Sequence, residues 1–480
     1  MRIQTIRLLS GLVWKNKLKS SSTPWLIGIF NVMLFVALFS GYRHMSEQQQ
    51  LVSENSREVR QQWIDNPDKH PHRMAHYGYV AFRQKFPLSF FDFGMDRYVG
   101  NVVFLEAHRQ NTVNFSEASL SNGLLRLGEV SAGMILQLLL PLLIFFWGFD
   151  LIAREREEGM LRLLLTQGVS WPELIIGKSL GLFYLSLSIF LPAAVIGLIL
   201  LSLNSLTGVA PQVFMSFLAL TGSYLLYLLV LSLLAVFISA RSTSSRAALI
   251  QLIGCWLFFT LMLPKVSQLV GQQLFPAPSK IEFDTAVEEE LIRQGDSHNP
   301  DDPHYQALKD SLLAAYGVDA TQQLPFNYSG YVMREGERLS AETYRQHQER
   351  LVDIYHKQQN VVRLTALFNP YMAVKNMSMA FAGTDYTSFH DFEDQAEYYR
   401  YELAQTMNEL QIEHIGNQVQ SSADKNAIIS RKHWEAFPDF QHRFLSFGQM
   451  LQKELVSLMA LLLWLCGLLT LIFSVKYSVN

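Results

Sequence analysis

Charge is scarce in this chain: Asp, Glu, Lys and Arg supply 17% of its 480 residues, against about 25% in an ordinary soluble domain. Cysteine is scarcer. Cys255 and Cys466 are the two present, and both lie inside apolar runs, so no disulfide framework braces the polar parts. A working phosphate loop is absent too. The stretch "WPELIIGKS" ends in Gly177-Lys178-Ser179, but Pro172 takes the place of the required second glycine and has no N–H to offer a phosphate. The preceding "REREEGMLRLLL" reads as a charged and then apolar helix, where such a loop needs a buried strand. The chain therefore does not hold ATP itself. No Ser/His/Asp order reads as a hydrolase, and the few basic residues form no nucleic-acid patch.

Long apolar runs are what the chain has. Hydrophobic residues make up 49% of it, gathered into six blocks of roughly 18–25 residues, the length that spans a bilayer as helix. The blocks are Pro24 to Gly41, Ser131 to Ile152, Leu180 to Leu203, Val213 to Ala240, Ala247 to Leu263 and Leu455 to Val475. Pro141, Pro192 and Pro264 fall in or at the ends of blocks, where proline kinks a helix more readily than it destroys it. Lys and Arg set the orientation. Arg2, Arg7, Lys15, Lys17 and Lys19 precede the first block, Arg154, Arg156, Arg162 and Lys178 follow the second, and Arg241 and Arg246 follow the fourth. Lys476 follows the sixth, while the turn "NSLTGVAPQ" between the third and fourth carries no charge. The positive-inside rule then places both termini in the cytoplasm. The first block also lacks a small-x-small cleavage site, which argues against a removed signal peptide.

The predicted fold is an all-α membrane protein with six transmembrane helices, a cytoplasmic coupling helix and a mostly helical extracytoplasmic domain with some β. Its boundaries are an amphipathic interfacial helix at 1–23, transmembrane helix 1 at 24–41 and an extracytoplasmic segment at 42–130. Transmembrane helices 2–5 occupy 131–271 with an elbow at 153–178, a second extracytoplasmic segment covers 272–449, and helix 6 with its tail fills 450–480. The outer helices are read from "MSEQQQLVSENSREVRQQWID", which ends at Asn66-Pro67, and "SAETYRQHQERLVDIYHKQQNVVRLTALF", which Asn369-Pro370 stops. A third, "DFEDQAEYYRYELAQTMNELQIEHI", carries Phe392, Tyr399, Leu403 and Met407 near helical spacing, with Asp391 as its cap after a turn at Gly383-Thr384-Asp385. "YGYVAF" and "PFNYSGYVM" read as short strands. At the N-terminus, "IRLLSGLVWKNKLKSSSTPW" is a basic amphipathic helix with Ile6, Leu9, Leu12 and Val13 near one face and Trp14 and Trp25 suited to the interface.

The elbow is the stretch that points to a mechanism. Five charged residues, Arg154 to Glu158, end the second span, and Met160, Leu161, Leu163, Leu164 and Leu165 then make a helix too short to cross the bilayer. Thr166 to Val169 read as a turn, after which Ser170 and Glu173 form a capping box that starts the helix of the third span. A plain connector needs only about 2–8 residues, and this one uses about 25.

The run "EREEGMLRLLLTQGVSWPELIIGKSL" resembles the element between the second and third spans of type-2 ABC transporter permeases. Arg156, Glu157, Glu158, Gly159, Leu161, Leu164, Gly177 and Lys178 lie in that element. The resemblance implies a coupling helix docked on a separate ATPase subunit. As a long cationic side chain at the membrane boundary, Lys178 is expected to snorkel toward lipid headgroups. The motifs "HYGYVAF", "SFFDFG", "VFLEAHRQN" and "NPYMAVKNMSMAFAGTDYTSFHDF" are similar to a long-loop subfamily of these permeases of unknown function. The chain is then expected in the bacterial inner membrane as a non-catalytic transmembrane subunit working in export or in mechanical work on a periplasmic partner. It would carry no cofactor of its own. ATP and Mg would be bound by two partner ATPase subunits, and a second permease chain, identical or related, would complete the assembly among membrane lipids. Two other readings stay open: a membrane-anchored receptor or scaffold that works without ATP, and a permease for maturing periplasmic metalloenzymes.

One constellation outside the spans carries chemistry. "DKHPHRMAHYG" sets His70, His72 and His76 close together, and His108 follows in "LEAHRQN". Such imidazoles bind Cu or Zn if a fourth ligand such as Glu106 converges; otherwise they are a histidine-rich surface loop. His72 and His76 share a face only if their segment is helical.

Overall fold

A computed structural model of the chain describes residues 1–111, 113, 130–203, 209–295, 297, 299, 301–417 and 427–474. Residues 204–208 of the uncharged turn, and Lys476, lie outside the described residues. Among those described, six helices are long and apolar enough to cross a membrane: Ser22–Ile64, Ala132–Glu157, Trp171–Leu203, Pro211–Arg241, Ser245–Leu274 and Leu455–Ser474. The chain is a multi-pass, all-α membrane protein. The fourth span is the most enclosed, whereas the first, fifth and sixth leave most of their apolar windows uncovered, through side chains such as Phe35, Phe39, Ile250 and Leu463.

Several of the apolar blocks begin or end inside a longer helix. The helix of the third span starts at Trp171 because Ser170 and Glu173 cap it reciprocally: Ser170 N–H donates to Glu173 Oε2 at 3.0 Å and Glu173 N–H to Ser170 Oγ at 3.4 Å. The first span runs on as one 43-residue helix, α2, from Ser22 to Ile64, stopping just before Asn66-Pro67. At 1.5 Å per residue it is about 65 Å long, roughly twice the hydrocarbon thickness. Gly41, near its middle, passes so close to Phe90 that an added Cβ would lie 2.5 Å from that carbonyl oxygen.

Two of the three span prolines are absorbed by a local widening. A π turn at Ile135–Leu139 precedes Pro141, and another at Phe258–Met262 precedes Pro264, in the same register. Proline removes an N–H from the helical ladder, and the wider turn leaves carbonyls without an intrahelical donor. Neighbours take them up. Tyr227 Oη donates to Gln137 O at 3.3 Å, Trp256 Nε1 to Leu138 O at 2.9 Å, and Asn369 Nδ2 to Phe259 O at 2.7 Å. Lipid offers no such partner, so each π turn is tied to the helix or segment that satisfies it.

The two polar segments fold together. Helix α3 (Pro71–Tyr77) and the antiparallel pair β1 (Tyr79–Phe82) and β2 (Val102–Leu105), in register Tyr79↔Leu105, come from the first. The second contributes the helices Tyr328–Thr365 and Tyr386–His414. Trp63, Met74, Tyr79 and Leu105 share one apolar core with Phe392, Tyr399, Leu403, Met407 and Trp434. Trp63 Nε1 donates to Trp434 O at 2.8 Å inside it.

Three local expectations are corrected. "PFNYSGYVM" is not a strand: Asn327 accepts from Gly330 N–H and caps the helix that starts at Tyr328. Asp385, not Asp391, caps Tyr386–His414 by accepting from Ser388 N–H, which places Asp391 inside the helix as acceptor for Gln395. On α1 (Ile3–Lys19), Leu9, Ser10 and Val13 form the buried face, whereas Leu12 points outward.

Candidate functional sites: a tethered elbow and a histidine cluster

The elbow consists of two short helices, Ala153–Glu157 and Met160–Thr166, joined at Gly159. Gly159 has φ +76° and Gly168, in the following turn, φ +83°, values that favour glycine because a side chain would strain there. Ser239 of the fourth span holds the start of the elbow. Its hydroxyl accepts from Ile152 N–H and Ala153 N–H, both at 3.0 Å, and donates to Phe149 O at 2.8 Å.

The structure separates the elbow residues into an inner and an outer set. Arg156 donates to the carbonyls of Ser242 and Ala240, where the fourth span ends. Glu157 is exposed but counts with the inner set by its bonds, accepting from Ser245 N–H at 3.0 Å and Ser245 Oγ at 2.6 Å, where the fifth begins. Leu161 is buried and Leu164 half-buried against the spans. Gly177 lies under α1, where an added Cβ would come within 2.8 Å of Leu9 Cβ. Lys178 does not snorkel. Its ammonium is buried, donates to Leu151 O and pairs with Glu155. The outer set is Glu158, Gly159, Met160, Arg162 and Leu163, with Glu158 paired sideways to Arg154 at 2.7 Å.

Sequence reading missed the tethers that run from α1. Arg2 Nη2 lies 3.1 Å from Glu173 Oε2 and also donates to Gly168 O, and Lys17 Nζ lies 2.9 Å from Asp150 Oδ1. These partners are separated by 171 and 133 residues, so no local pattern signals them. A buried polar junction was missed as well. Asp92 Oδ2 accepts from Gln137 Nε2 of the second span at 2.9 Å and from Ser378 Oγ at 2.5 Å, and Tyr224 Oη of the fourth span touches both donors.

The histidines divide three to one. One ligand nitrogen each from His72, His76 and His108 lie within 4.8 Å of one another. The segment is helical, so His72 and His76 stand one turn apart on α3 with their Nε2 atoms at 3.2 Å. His70 is not part of the group: its Nδ1 accepts from His72 N–H as the cap of α3, and burial with Arg73 nearby pushes its pKa down. Glu106 does not converge either, being engaged by Asn111 at 3.1 Å.

His108 enters from a turn after β2. Ala107 N–H donates to Ala75 O of α3 at 3.3 Å, and His108 itself has φ +61°, a left-handed conformation that costs energy outside glycine. Glu337 holds it there. One carboxylate oxygen accepts from His108 N–H at 2.9 Å and lies 3.0 Å from Nδ1, and the other accepts from Arg400 Nη1 at 2.6 Å. Burial pushes the Glu337 carboxyl up, yet His108 and Arg400 outweigh it and hold its pKa down at about 2. Arg400 also pairs with Glu397 at 2.7 Å.

Residues 280–443, about a third of the chain, match the family described as a domain of unknown function, DUF3526. The match begins after the fifth span and ends before the sixth. It holds Glu337 and Arg400, while the three clustered histidines lie outside it. No curated protein matches the chain.

Proposed function

We propose that this chain is the transmembrane permease subunit of an ABC transporter, coupling ATP hydrolysis by a separate ATPase to export or to work on an outer partner. The observation that carries the reading is the tethered elbow. Its outer set is open to a partner, while its inner set is fastened to the second, third, fourth and fifth spans through Ser239, Lys178, Arg156 and Glu157. A push on Met160–Thr166 therefore reaches four membrane helices through short, directional bonds. A passive connector needs no such arrangement.

On this reading two ATPase subunits, each holding ATP and Mg, sit under a pair of permease chains, and both termini face the cytoplasm. Glu158, Arg162 and Leu163 are the docking residues. Glu157 acts inside the chain, on Ser245.

Purification from native membranes tests this. An ATPase should copurify with the wild-type chain, and Arg162→Glu with Leu163→Glu should abolish that association while insertion and thermal stability persist. Copurification of no ATPase, or association unchanged by both substitutions, would favour a scaffold that works without ATP.

A further inference from the structure

His72, His76 and His108 have the donor chemistry of a transition-metal site, and their ligand nitrogens already lie within 4.8 Å of one another. Two nitrogens bonded at about 2.05 Å to a tetrahedral ion lie about 3.3 Å apart, whereas cis positions of a square-planar or octahedral ion bring them to about 2.9 Å. His72 Nε2 and His76 Nε2 are 3.2 Å apart. That contact is an ordinary N–H···N hydrogen-bond distance, and it also lets both nitrogens reach one ion. The widest separation in the cluster is within 4.8 Å, so closing it to the tetrahedral value takes about 1.5 Å of side-chain adjustment.

The surroundings of His108 add an independent observation. Its Nδ1 faces Glu337 at 3.0 Å, and that carboxylate is fully buried and anchored by Arg400. A proton held at Nδ1 by a carboxylate leaves the lone pair on Nε2 and fixes the ring, the arrangement that supports metal-bound histidines. A histidine serving only as surface has no need of a buried carboxylate or of a strained backbone to aim it.

We propose that His72, His76 and His108 bind one zinc ion through their ring nitrogens, with Glu337 as the positioning residue for His108. Three protein ligands leave the fourth position of the ion to water or to a small incoming ligand. The site joins the two polar segments, since its ligands come from the first and its positioning pair, Glu337 and Arg400, from the second. It is independent of the permease reading.

The test uses the full chain in detergent, purified through a tag that contains no histidine, loaded with zinc chloride and freed of excess by gel filtration. Wild type should retain about one zinc per chain, and His72→Ala/His76→Ala less than about 0.1. With cobalt(II) in place of zinc, wild type should show the intense visible absorption of a tetrahedral ion, and the double variant should not. Glu337→Gln should weaken affinity about 10–100-fold at unchanged stoichiometry. Because that change also loosens Arg400, His108→Ala is the companion variant, expected to lose the tetrahedral cobalt band while unfolding in chelator as wild type does. Equal zinc in wild type and the double variant, or cobalt binding without a tetrahedral spectrum, overturns the proposal.

Discussion

Arg2 Nη2 lies 3.1 Å from Glu173 Oε2, and the same carboxylate closes the capping box with Ser170. One buried carboxylate thus terminates the elbow and fastens α1 to it. Glu173→Ala should cost about 1 kcal/mol through loss of the cap alone, with a further loss from releasing Arg2. Arg2→Ala should leave the cap and loosen the helix only in part, because the backbone N–H of residue 2 still donates to Glu173 Oε1 at 2.6 Å. Hydrogen exchange across residues 3–19 separates them: both variants should lose protection there, but only Glu173→Ala should lower the melting temperature clearly. Unchanged exchange in both would show that packing of Leu9 and Val13 suffices to hold α1.

Lys178→Ala should not be silent. The ammonium satisfies Leu151 O and faces Glu155 in a buried setting, so truncation leaves an acceptor and a carboxylate unpaired, at about 1–3 kcal/mol. A double-mutant cycle with Glu155→Gln should recover part of that loss. Strict additivity of the two single changes would mean that the ion pair contributes nothing measurable.

At the Asp92 junction, Asp92→Ala should leave Gln137 and Ser378 short of an acceptor, though each still reaches Tyr224 Oη at 2.7 and 2.9 Å. The expected cost is about 1–3 kcal/mol. Asp92→Asn, which keeps one oxygen, should cost less. Chemical unfolding of the detergent-solubilised chain followed by tryptophan fluorescence would rank the three proteins, and equal stability of Asp92→Ala and wild type would refute the role of this junction.

His442 gives the polar segments an acid limit. Its ring lies between Phe392 and Phe444, with centroids at 5.3 and 5.1 Å, and burial together with the charge of Arg83 pushes its pKa down to about 4, while a bond with the Gln84 backbone opposes this. In the unfolded chain the imidazole titrates near its ordinary value of about 6.5. Between pH 6.5 and 4 the unfolded state binds the extra proton, so stability falls as pH falls through that window, by at most about 3 kcal/mol, and this group adds nothing further below pH 4. His442→Phe should flatten the melting temperature across that window. A profile as steep as wild type would assign the acid sensitivity to other groups.

The spans and the elbow were legible in the sequence because they are written locally, in run length, in the Ser170–Glu173 spacing and in the glycine at position 159. Helix ends were less so. Asp385 and Asp391 are chemically equivalent caps, and only the fold shows which one has Ser388 N–H within reach. Lys178 was misread because a lysine at a membrane boundary has lipid headgroups as its default partner, and the carbonyl of Leu151 becomes available only once the second and third spans are packed. The histidines were noticed by proximity, but proximity picked His70, which caps, and could not supply Glu337, 229 residues from His108.

The length of α2 would have a mechanical meaning on the proposed permease reading. Beyond Gly41 it extends about 35 Å to Ile64, and its last turn carries Trp63 into the shared core beside Tyr77 of α3, ring centroids 6.3 Å apart. Its membrane half is linked to the third span where Asn31 Nδ2 donates to Ser188 O at 3.2 Å. On the proposed permease reading, a continuous helix packed at Gly41 against the backbone of Phe90 would act as a lever about that point. Tilting it by about 10° carries the far end about 6 Å, several times the adjustment that would draw His72, His76 and His108 onto one ion.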